Sequence, residues 1–196
     1  MPAIQPRIST AHPLAETLIE FWNEGRFGTS LEEACRYSNI SKESLCEEFG
    51  SEDVLRAAVL ELYRTSVFLE LSDILLADQR FEDVLRTYLT ALIHHGDQTS
   101  GCLLAEYRLI QQSLGHTSRK SVSQFTDSLR SLYKAWLSRA QVAGDIRDDI
   151  DLETAMEHLD AQIMIASIKA RRGMPKEQIR RNVELSLWAL RPHLSL

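Results

Sequence analysis

The chain has little of what interrupts helices. Among its 196 residues there are only 8 Gly and 5 Pro, and alternating runs of β-branched residues, which are typical of strands, are missing. These shortages exclude a collagen-like, a low-complexity and a mainly β protein. Leu, Ala, Glu and Arg are abundant instead, and all four favour helices. The composition therefore predicts an all-α protein.

Cysteine is also scarce, because Cys35, Cys46 and Cys102 are the only three. Their odd number argues against a disulfide framework, and no C-x-x-C or clustered Cys/His pattern supplies zinc ligands. We therefore expect reduced thiols, no metal and no cofactor. The chain also lacks a nucleophile elbow, a phosphate-binding loop and a dinucleotide glycine fingerprint, so we expect no catalytic residues and no enzyme.

Long hydrophobic runs are missing as well. No segment approaches the roughly 18 consecutive apolar residues that a membrane-spanning helix needs. Residues 1–13 lack both the basic and the apolar regions of a secretory signal. These absences predict a cytoplasmic protein with no membrane partner.

Positive charge is in short supply too, because 22 Lys and Arg stand against 28 Asp and Glu and leave a net charge of −6. A protein that binds DNA through its whole surface is normally basic. Any contact with DNA must therefore come from a small local patch.

Apolar residues recur at helical spacing along the chain. Three short helices fit into about the first fifty residues, and the second begins with a capping box of Ser30 and Glu33. Longer helices are predicted near 52–71, 81–92, 103–110, 122–137, 152–169 and 175–190, with breaks around Gly144 and Gly173. Four acidic residues crowd the turn before residue 152, at Asp145, Asp148, Asp149 and Asp151. They lack the ligand order of a calcium loop, so we interpret them as a solvated turn and a helix N-cap.

The segment 25–55 reads GRFGTSLEEACRYSNISKESLCEEFGSEDVL. It resembles the helix-turn-helix signature of the tetracycline-repressor (TetR) family of transcriptional regulators. The matching positions are Gly25, Thr29, Ser30, Ile40, Ser41, Lys42, Leu45, Phe49, Ser51 and Leu55. The resemblance implies a DNA-binding head at 1–52 and a ligand-binding and dimerisation domain at 53–196.

On this resemblance, the chain is predicted to be a one-component transcriptional regulator that binds an operator in double-stranded DNA. The residues predicted to contact DNA combine helix N-caps, hydroxyl groups and the start of the recognition helix. They are Thr29, Ser30, Tyr37, Ser41, Lys42, Glu43 and Ser44.

The head departs from the family pattern in charge. Residues 1–50 contain eight Glu and no Asp, against Arg7, Arg26, Arg36 and Lys42. A carboxylate cannot donate a hydrogen bond and is repelled by phosphate, although a Glu can read cytosine in the major groove. The alternative is therefore a TetR-fold protein that has lost DNA binding and acts as a ligand- or protein-binding module.

The body also resembles the ligand-binding region of this family, at 101–104 and at 139–151. The resemblance implies a small-molecule effector held among the helices. Candidate effector-binding residues are polar or polarisable side chains that interrupt apolar helical faces. They are His94, His95, Cys102, Tyr107, Trp136, His158, Gln162 and Met164, although aromatic and Met positions at helical spacing are typical of a core as well.

The last two predicted helices carry apolar stripes, and the resemblance implies that they form the four-helix interface of a homodimer. The residues predicted for this interface are Ala155, Leu159, Gln162, Ile163, Ala166, Ile179, Val183 and Leu187.

Overall fold

The computed structural model describes residues 41, 43, 47, 49–95, 98, 99 and 102–192. Seven α-helices lie in this part of the chain: α1 (Glu52–Tyr63), α2 (Leu69–Leu76), α3 (Phe81–Ile93), α4 (Leu103–Leu109), α5 (His116–Val142), α6 (Leu152–Arg171) and α7 (Lys176–Ser186). Short 3-10 turns follow α4 and α7, at Gln111–Ser113 and Leu187–Leu190. The prediction of an all-α fold is confirmed.

The helix predicted near 52–71 differs from a regular rod. Between α1 and α2 the segment Arg64–Phe68 is wound as a π-helix. The hydroxyl of Thr65 donates to the carbonyl oxygens of Glu61 and Leu62, at 3.1 and 3.2 Å. Such bonds from a side chain to the preceding turn compete with the regular backbone ladder, and π-turns are local departures of this kind.

A second difference follows α3. The two-residue strands β1 (His94–His95) and β2 (Gln98–Thr99) form an antiparallel pair, in which His94 faces Thr99 and His95 faces Gln98. The sequence pattern predicts no strand here. The pair is too short to carry a pattern of alternating residues, which explains why periodicity could not reveal it.

The chain divides into two compact units. Of the described residues, 70–95, 98, 99, 102 and 127–192 belong to the larger unit, and 41, 43, 47, 49–69 and 103–126 belong to the smaller unit. The described part of the smaller unit therefore comprises α1, the π-segment, α4 and the first turns of α5. In its core, Phe125 on α5 makes an edge contact with Phe68, with ring centroids 4.7 Å apart, and a tilted contact with Tyr63.

In the larger unit, the turn between α5 and α6 is held by side chains. Gly144 has a positive φ of 75°, as expected just after a helix end. Asp145 accepts a hydrogen bond from the backbone N–H of Phe81 at 2.8 Å and so caps the start of α3. Asp151 caps α6 through the N–H of Thr154 at 2.9 Å. The acidic turn therefore serves helix capping, as the interpretation of Asp151 as an N-cap predicted.

Candidate effector site and DNA-reading segment

Most of the residues predicted to contact DNA, namely Thr29, Ser30, Tyr37, Lys42 and Ser44, lie outside the described residues. Ser41 and Glu43 are described, and both are exposed. Glu47, which belongs to the same predicted recognition helix, is exposed as well. The described part of this segment therefore presents carboxylates to solvent.

The predicted effector-binding residues fall into both units. Cys102, Trp136, His158, Gln162 and Met164 belong to the larger unit, and Tyr107 belongs to the smaller one. His94 and His95 form β1, and their side chains lie outside the described part of the structure. The structure therefore assigns Tyr107 to a different unit from the other described candidates.

Two of these candidates have an evident structural role. Tyr107 is buried in the smaller unit, and burial raises the pKa of its hydroxyl well above the usual range. The Nε2 atom of His158, on α6, lies 2.8 Å from the carbonyl oxygen of Ser186 at the end of α7. This contact ties the two helices together.

Trp136 on α5 stands out in the core of the larger unit. It is only 2% exposed and stacks on Phe81, with ring centroids 4.6 Å apart and an angle of 23° between the planes. Its indole N–H is buried and has no hydrogen-bond partner among the described residues. A buried donor without an acceptor is costly and calls for an explanation, and a bound ligand is one.

Sequence reasoning missed a buried polar cluster beside this tryptophan, on the same helix. The hydroxyls of Tyr88 on α3 and Tyr133 on α5 lie 2.9 Å apart in the core. Burial raises the pKa of both tyrosines well above the usual range, and the nearby Cys102 and Asp160 raise it further. Both phenols are therefore neutral hydroxyls at physiological pH.

Asp160 on α6 belongs to the same surroundings and is only 6% exposed. A signal for it was present in the sequence, because this acidic residue lies within the apolar stripe of α6 between Leu159 and Ile163. Charged side chains are almost never fully buried unless they are paired, so an acid within an apolar stripe points to a polar site in the core. We name Tyr88, Tyr133, Trp136, Asp160 and Cys102 the polar core cluster.

A cavity of about 190 Å³ also lies in the larger unit, beside α3. Its apolar lining comes from Phe81, Leu85, Leu89, Ile146 and Leu187, and its charged lining from Glu82, Arg86, Asp145, Glu184 and Arg191. Arg191 also donates to the carboxylate of Glu82 at 2.9 Å. Phe81 lines the cavity and stacks on Trp136, so this ring lies between the cavity and one member of the polar core cluster.

The residues predicted for a dimer interface are mostly buried within the single chain. Ala155, Leu159, Ile163, Ala166, Ile179, Val183 and Leu187 all belong to the core, and Gln162 is half-buried. These side chains face the chain's own interior because α6 and α7 pack on each other. The large apolar side chains that these helices and the following 3-10 turn expose are Ile165, Leu185 and Trp188.

Within the described residues, no group of three or more His, Cys, Asp and Glu side chains is placed to hold a metal ion. No helix in this part of the chain is long and apolar enough to cross a membrane. Three of the four acids in the turn before α6 have other partners, since Asp145 caps α3, Asp149 pairs with Arg147 and Asp151 caps α6.

Residues 81–192 match the family model described as the C-terminal domain of SbtR-like transcriptional regulators of the TetR type. This match covers more than half of the chain. The chain belongs to the TetR family. Comparison of this TetR-family chain with curated proteins gives no significant match.

Solved structures share the fold of this TetR-family chain. The reduced form of Escherichia coli NemR has a TM-score of 0.73 and 18% identity, over 93% of this chain and 98% of NemR. A cysteine mutant of the TetR-family regulator CifR, solved with 26-bp operator DNA, has a TM-score of 0.71 and 21% identity, over 94% and 98%. A TetR regulator from Legionella pneumophila has a TM-score of 0.68 and 18% identity, over 92% and 98%.

Proposed function

We propose that this chain is a one-component transcriptional regulator that binds operator DNA through its N-terminal helix-turn-helix and responds to a small-molecule effector. The observation that carries the proposal is the family match over 81–192, joined to a helix-turn-helix signature at 25–55 in the same chain. The fold neighbour CifR was solved with operator DNA, which supports the same role for the head. The proposal includes no catalytic activity, and action on DNA implies a cytoplasmic location.

Fluorescence anisotropy on the DNA upstream of the chain's own gene tests the DNA-binding part. We expect sequence-specific binding that weakens as salt rises, because phosphate contacts release counterions. Lys42→Ala is expected to weaken binding to every sequence, whereas Glu43→Ala is expected to change the preferred base. Equal binding to the upstream DNA and to a scrambled duplex at all salt concentrations would refute operator recognition.

One observation favours the alternative of a TetR-fold protein that has lost DNA binding. Glu43 and Glu47 are exposed on the predicted recognition helix, where phosphate repels a carboxylate. The double variant Glu43→Gln with Glu47→Gln separates the two functions. A protein that gains DNA binding only in this variant would support the alternative, because its acidic head would then be the barrier.

The effector, in this proposal, binds at the polar core cluster and the adjoining cavity in the larger unit. The unpartnered indole N–H of Trp136 and the hydroxyls of Tyr88 and Tyr133 provide polar contacts, and the adjoining cavity adds both apolar and charged side chains. This combination fits a small compound with an apolar part and at least one hydrogen-bond acceptor, because ligand pockets pair an apolar wall with a few fixed polar groups. Cys102, His158, Gln162 and Met164 remain further candidates in the same unit.

A thermal-shift screen tests this assignment. A compound that raises the melting temperature of the wild type is expected to stabilise Trp136→Phe less, because the indole donor is gone. Trp188→Phe is the matched control, because Trp188 is 62% exposed and lies outside the cluster. Equal shifts in both variants would place the effector elsewhere.

We also propose that the protein is a homodimer through α6 and α7. Because the buried stripe of these helices faces the chain's own core, the exposed Ile165, Leu185 and Trp188 are the better candidates for contacts with a second copy. Light scattering at micromolar concentration measures the oligomeric state, and a monomer would refute this part of the proposal.

A further inference from the structure

The longest helix among the described residues, α5, begins without a side-chain cap of its own. Gly115 stands at the N-cap position of α5, since its carbonyl oxygen accepts the N–H of Arg119 at 3.1 Å. A glycine has no side chain that can accept the free N–H groups of the first turn. The first turn of α5 also contains no acidic residue to match the positive end of the helix dipole.

Asp53, on the first turn of α1, supplies this cap from another helix. Its carboxylate accepts the backbone N–H of Thr117 at 2.8 Å and that of Ser118 at 3.0 Å. It also accepts the hydroxyl of Ser118, which is fully buried. These are the second and third amides of α5, the pair that a side-chain N-cap normally satisfies. Here the acceptor is 64 residues from Thr117 along the chain.

The corner at Gly115 has room for this carboxylate and for little else. A Cβ atom built on Gly115 would lie 2.3 Å from the Cγ atom of Asp53 and 2.5 Å from its Oδ1. The φ of Gly115 lies outside the positive range, so close approach explains the glycine and backbone conformation does not. The absence of a side chain at Gly115 therefore makes room for the Asp53 carboxylate at the contact between α1 and α5.

The carboxylate of Asp53 stays ionised across the physiological pH range. Burial by itself raises the pKa of Asp53, but the hydrogen bonds from Ser118 and Thr117 outweigh it and lower the pKa to about 2. Asp53 is thus always ionised at neutral pH. It cannot act as a pH switch there, and a fixed tether is the role that the geometry allows.

The place of this tether in the chain gives it a consequence for the head. Asp53 lies directly after the predicted head at 1–52, and Ser51, near the end of that head, caps α1 by accepting the N–H of Val54. All of these residues belong to the smaller unit, together with α4 and the start of α5. A contact that fixes the first turn of α1 therefore also fixes the junction between the predicted head and α1.

We propose that Asp53 is a positioning residue for DNA recognition, because its carboxylate fixes the first turn of α1, and with it the head, on the corner between α4 and α5. This inference rests on the proposed binding of DNA. The cap that α5 receives from α1 would then orient the head as well as stabilise α5.

Three variants of the full chain separate positioning from simple capping. Asp53→Ala removes both the cap and the tether. Asp53→Ala combined with Gly115→Ser gives α5 a local N-cap in the space that the carboxylate leaves, but no tether to α1. Asp151→Ala is the matched control, because it removes a similar Asp cap from α6 in the larger unit.

Binding is measured by anisotropy on duplexes selected by the wild type from a randomised library. We expect Asp53→Ala to bind about five- to tenfold more weakly, the scale of one lost N-cap. Asp53→Ala with Gly115→Ser is expected to recover the melting temperature but not the affinity. Asp151→Ala is expected to melt earlier and to bind as the wild type does. Recovery of affinity together with stability in the double variant would overturn the proposal, because Asp53 would then only cap a helix.

A second readout needs no DNA. Spin labels at positions 47 and 120, both exposed, report the distance between the predicted recognition helix and α5 by pulsed electron paramagnetic resonance. The labels are placed in a background without native cysteines, and labelled protein is diluted with unlabelled protein. We expect the distance distribution to broaden in both Asp53 variants and to stay narrow in Asp151→Ala.

The two readouts keep the inference distinct from the proposed function. If the wild type selects no duplex while the distance distribution broadens as expected, DNA binding is refuted and the positioning of the head by Asp53 stands. An unchanged distribution in Asp53→Ala would refute the positioning itself, whatever the DNA result.

Discussion

Removal of either hydroxyl of the buried Tyr88–Tyr133 pair is expected to be costly, and removal of both is expected to cost less than the two single changes together. The hydroxyls lie 2.9 Å apart between α3 and α5, and both side chains are almost fully buried. In Tyr88→Phe the hydroxyl of Tyr133 loses this partner in a core that excludes water, and the reverse holds in Tyr133→Phe. The rings are retained, so packing changes little.

The expected loss of unfolding free energy follows from the cost of leaving a buried polar group without a hydrogen-bond partner. A buried hydroxyl that loses its partner costs about 1–3 kcal/mol, whereas replacement of both partners by apolar groups of similar shape is close to neutral. We therefore expect each single variant to lose about 1–2 kcal/mol of unfolding free energy. The double variant should show a coupling of about 1 kcal/mol, since residues in contact depart from additivity on this scale.

Urea denaturation of the four proteins, followed by circular dichroism, measures these free energies, and equal denaturant slopes confirm that the unfolding reactions are comparable. Phe81→Leu paired with Tyr88→Phe is a control for coupling through general packing, because Phe81 contacts Trp136 and its ring makes no hydrogen bond. Additive losses in the tyrosine cycle would refute the reasoning, because they would mean that neither hydroxyl depends on the other.

Three further predictions concern single contacts. The folded-state pKa of Asp53, about 2, lies below its ordinary value of 3.8, so its contribution to stability is present above about pH 4 and is lost as pH falls towards 2. The melting temperature of Asp53→Asn should therefore fall less than that of the wild type between pH 5 and pH 2, and parallel curves would contradict this. Gly115→Ala should cost about 1–2 kcal/mol of unfolding free energy in urea, because its Cβ displaces the Asp53 carboxylate. Gly50→Ala is the comparison that reports backbone strain alone, because a Cβ there meets no atom within 4 Å but φ is positive. Leu185→Asp should give a monomer by light scattering, because it puts a charge at a position that is 72% exposed in the single chain and is proposed to contact a second copy. Val142→Asp is the control and should leave a dimer intact, because Val142 is apolar and even more exposed but lies outside α6 and α7.

Local patterns accounted for most of the helices in the described part of the chain, whereas the three short helices predicted in about the first fifty residues lie almost entirely outside it. The spacing of apolar residues predicted the helices near 81–92, 103–110, 122–137, 152–169 and 175–190, and the structure places helices at each of them. Asp151 was predicted as an N-cap and is the N-cap of α6. Gly144 and Gly173 were predicted as breaks, and both have the positive φ that is common just after a helix end. These features depend on neighbours within about one helical turn, and sequence patterns predict structure well over that range.

Which face of a helix meets which neighbour was decided by tertiary structure alone. Leu159 and Val183 have the spacing of an interface stripe, but they are buried in their own chain, because burial depends on helices that are distant in sequence. Tyr88 and Tyr133 are 45 residues apart, and Asp53 and Thr117 are 64 apart. The sequence was enough to predict a helical chain and several helix ends from local periodicity and capping, and a TetR-like chain from the resemblance of the segment 25–55. The polar core cluster and the cap that α5 receives from α1 required packing between distant segments, and no local pattern encodes that packing.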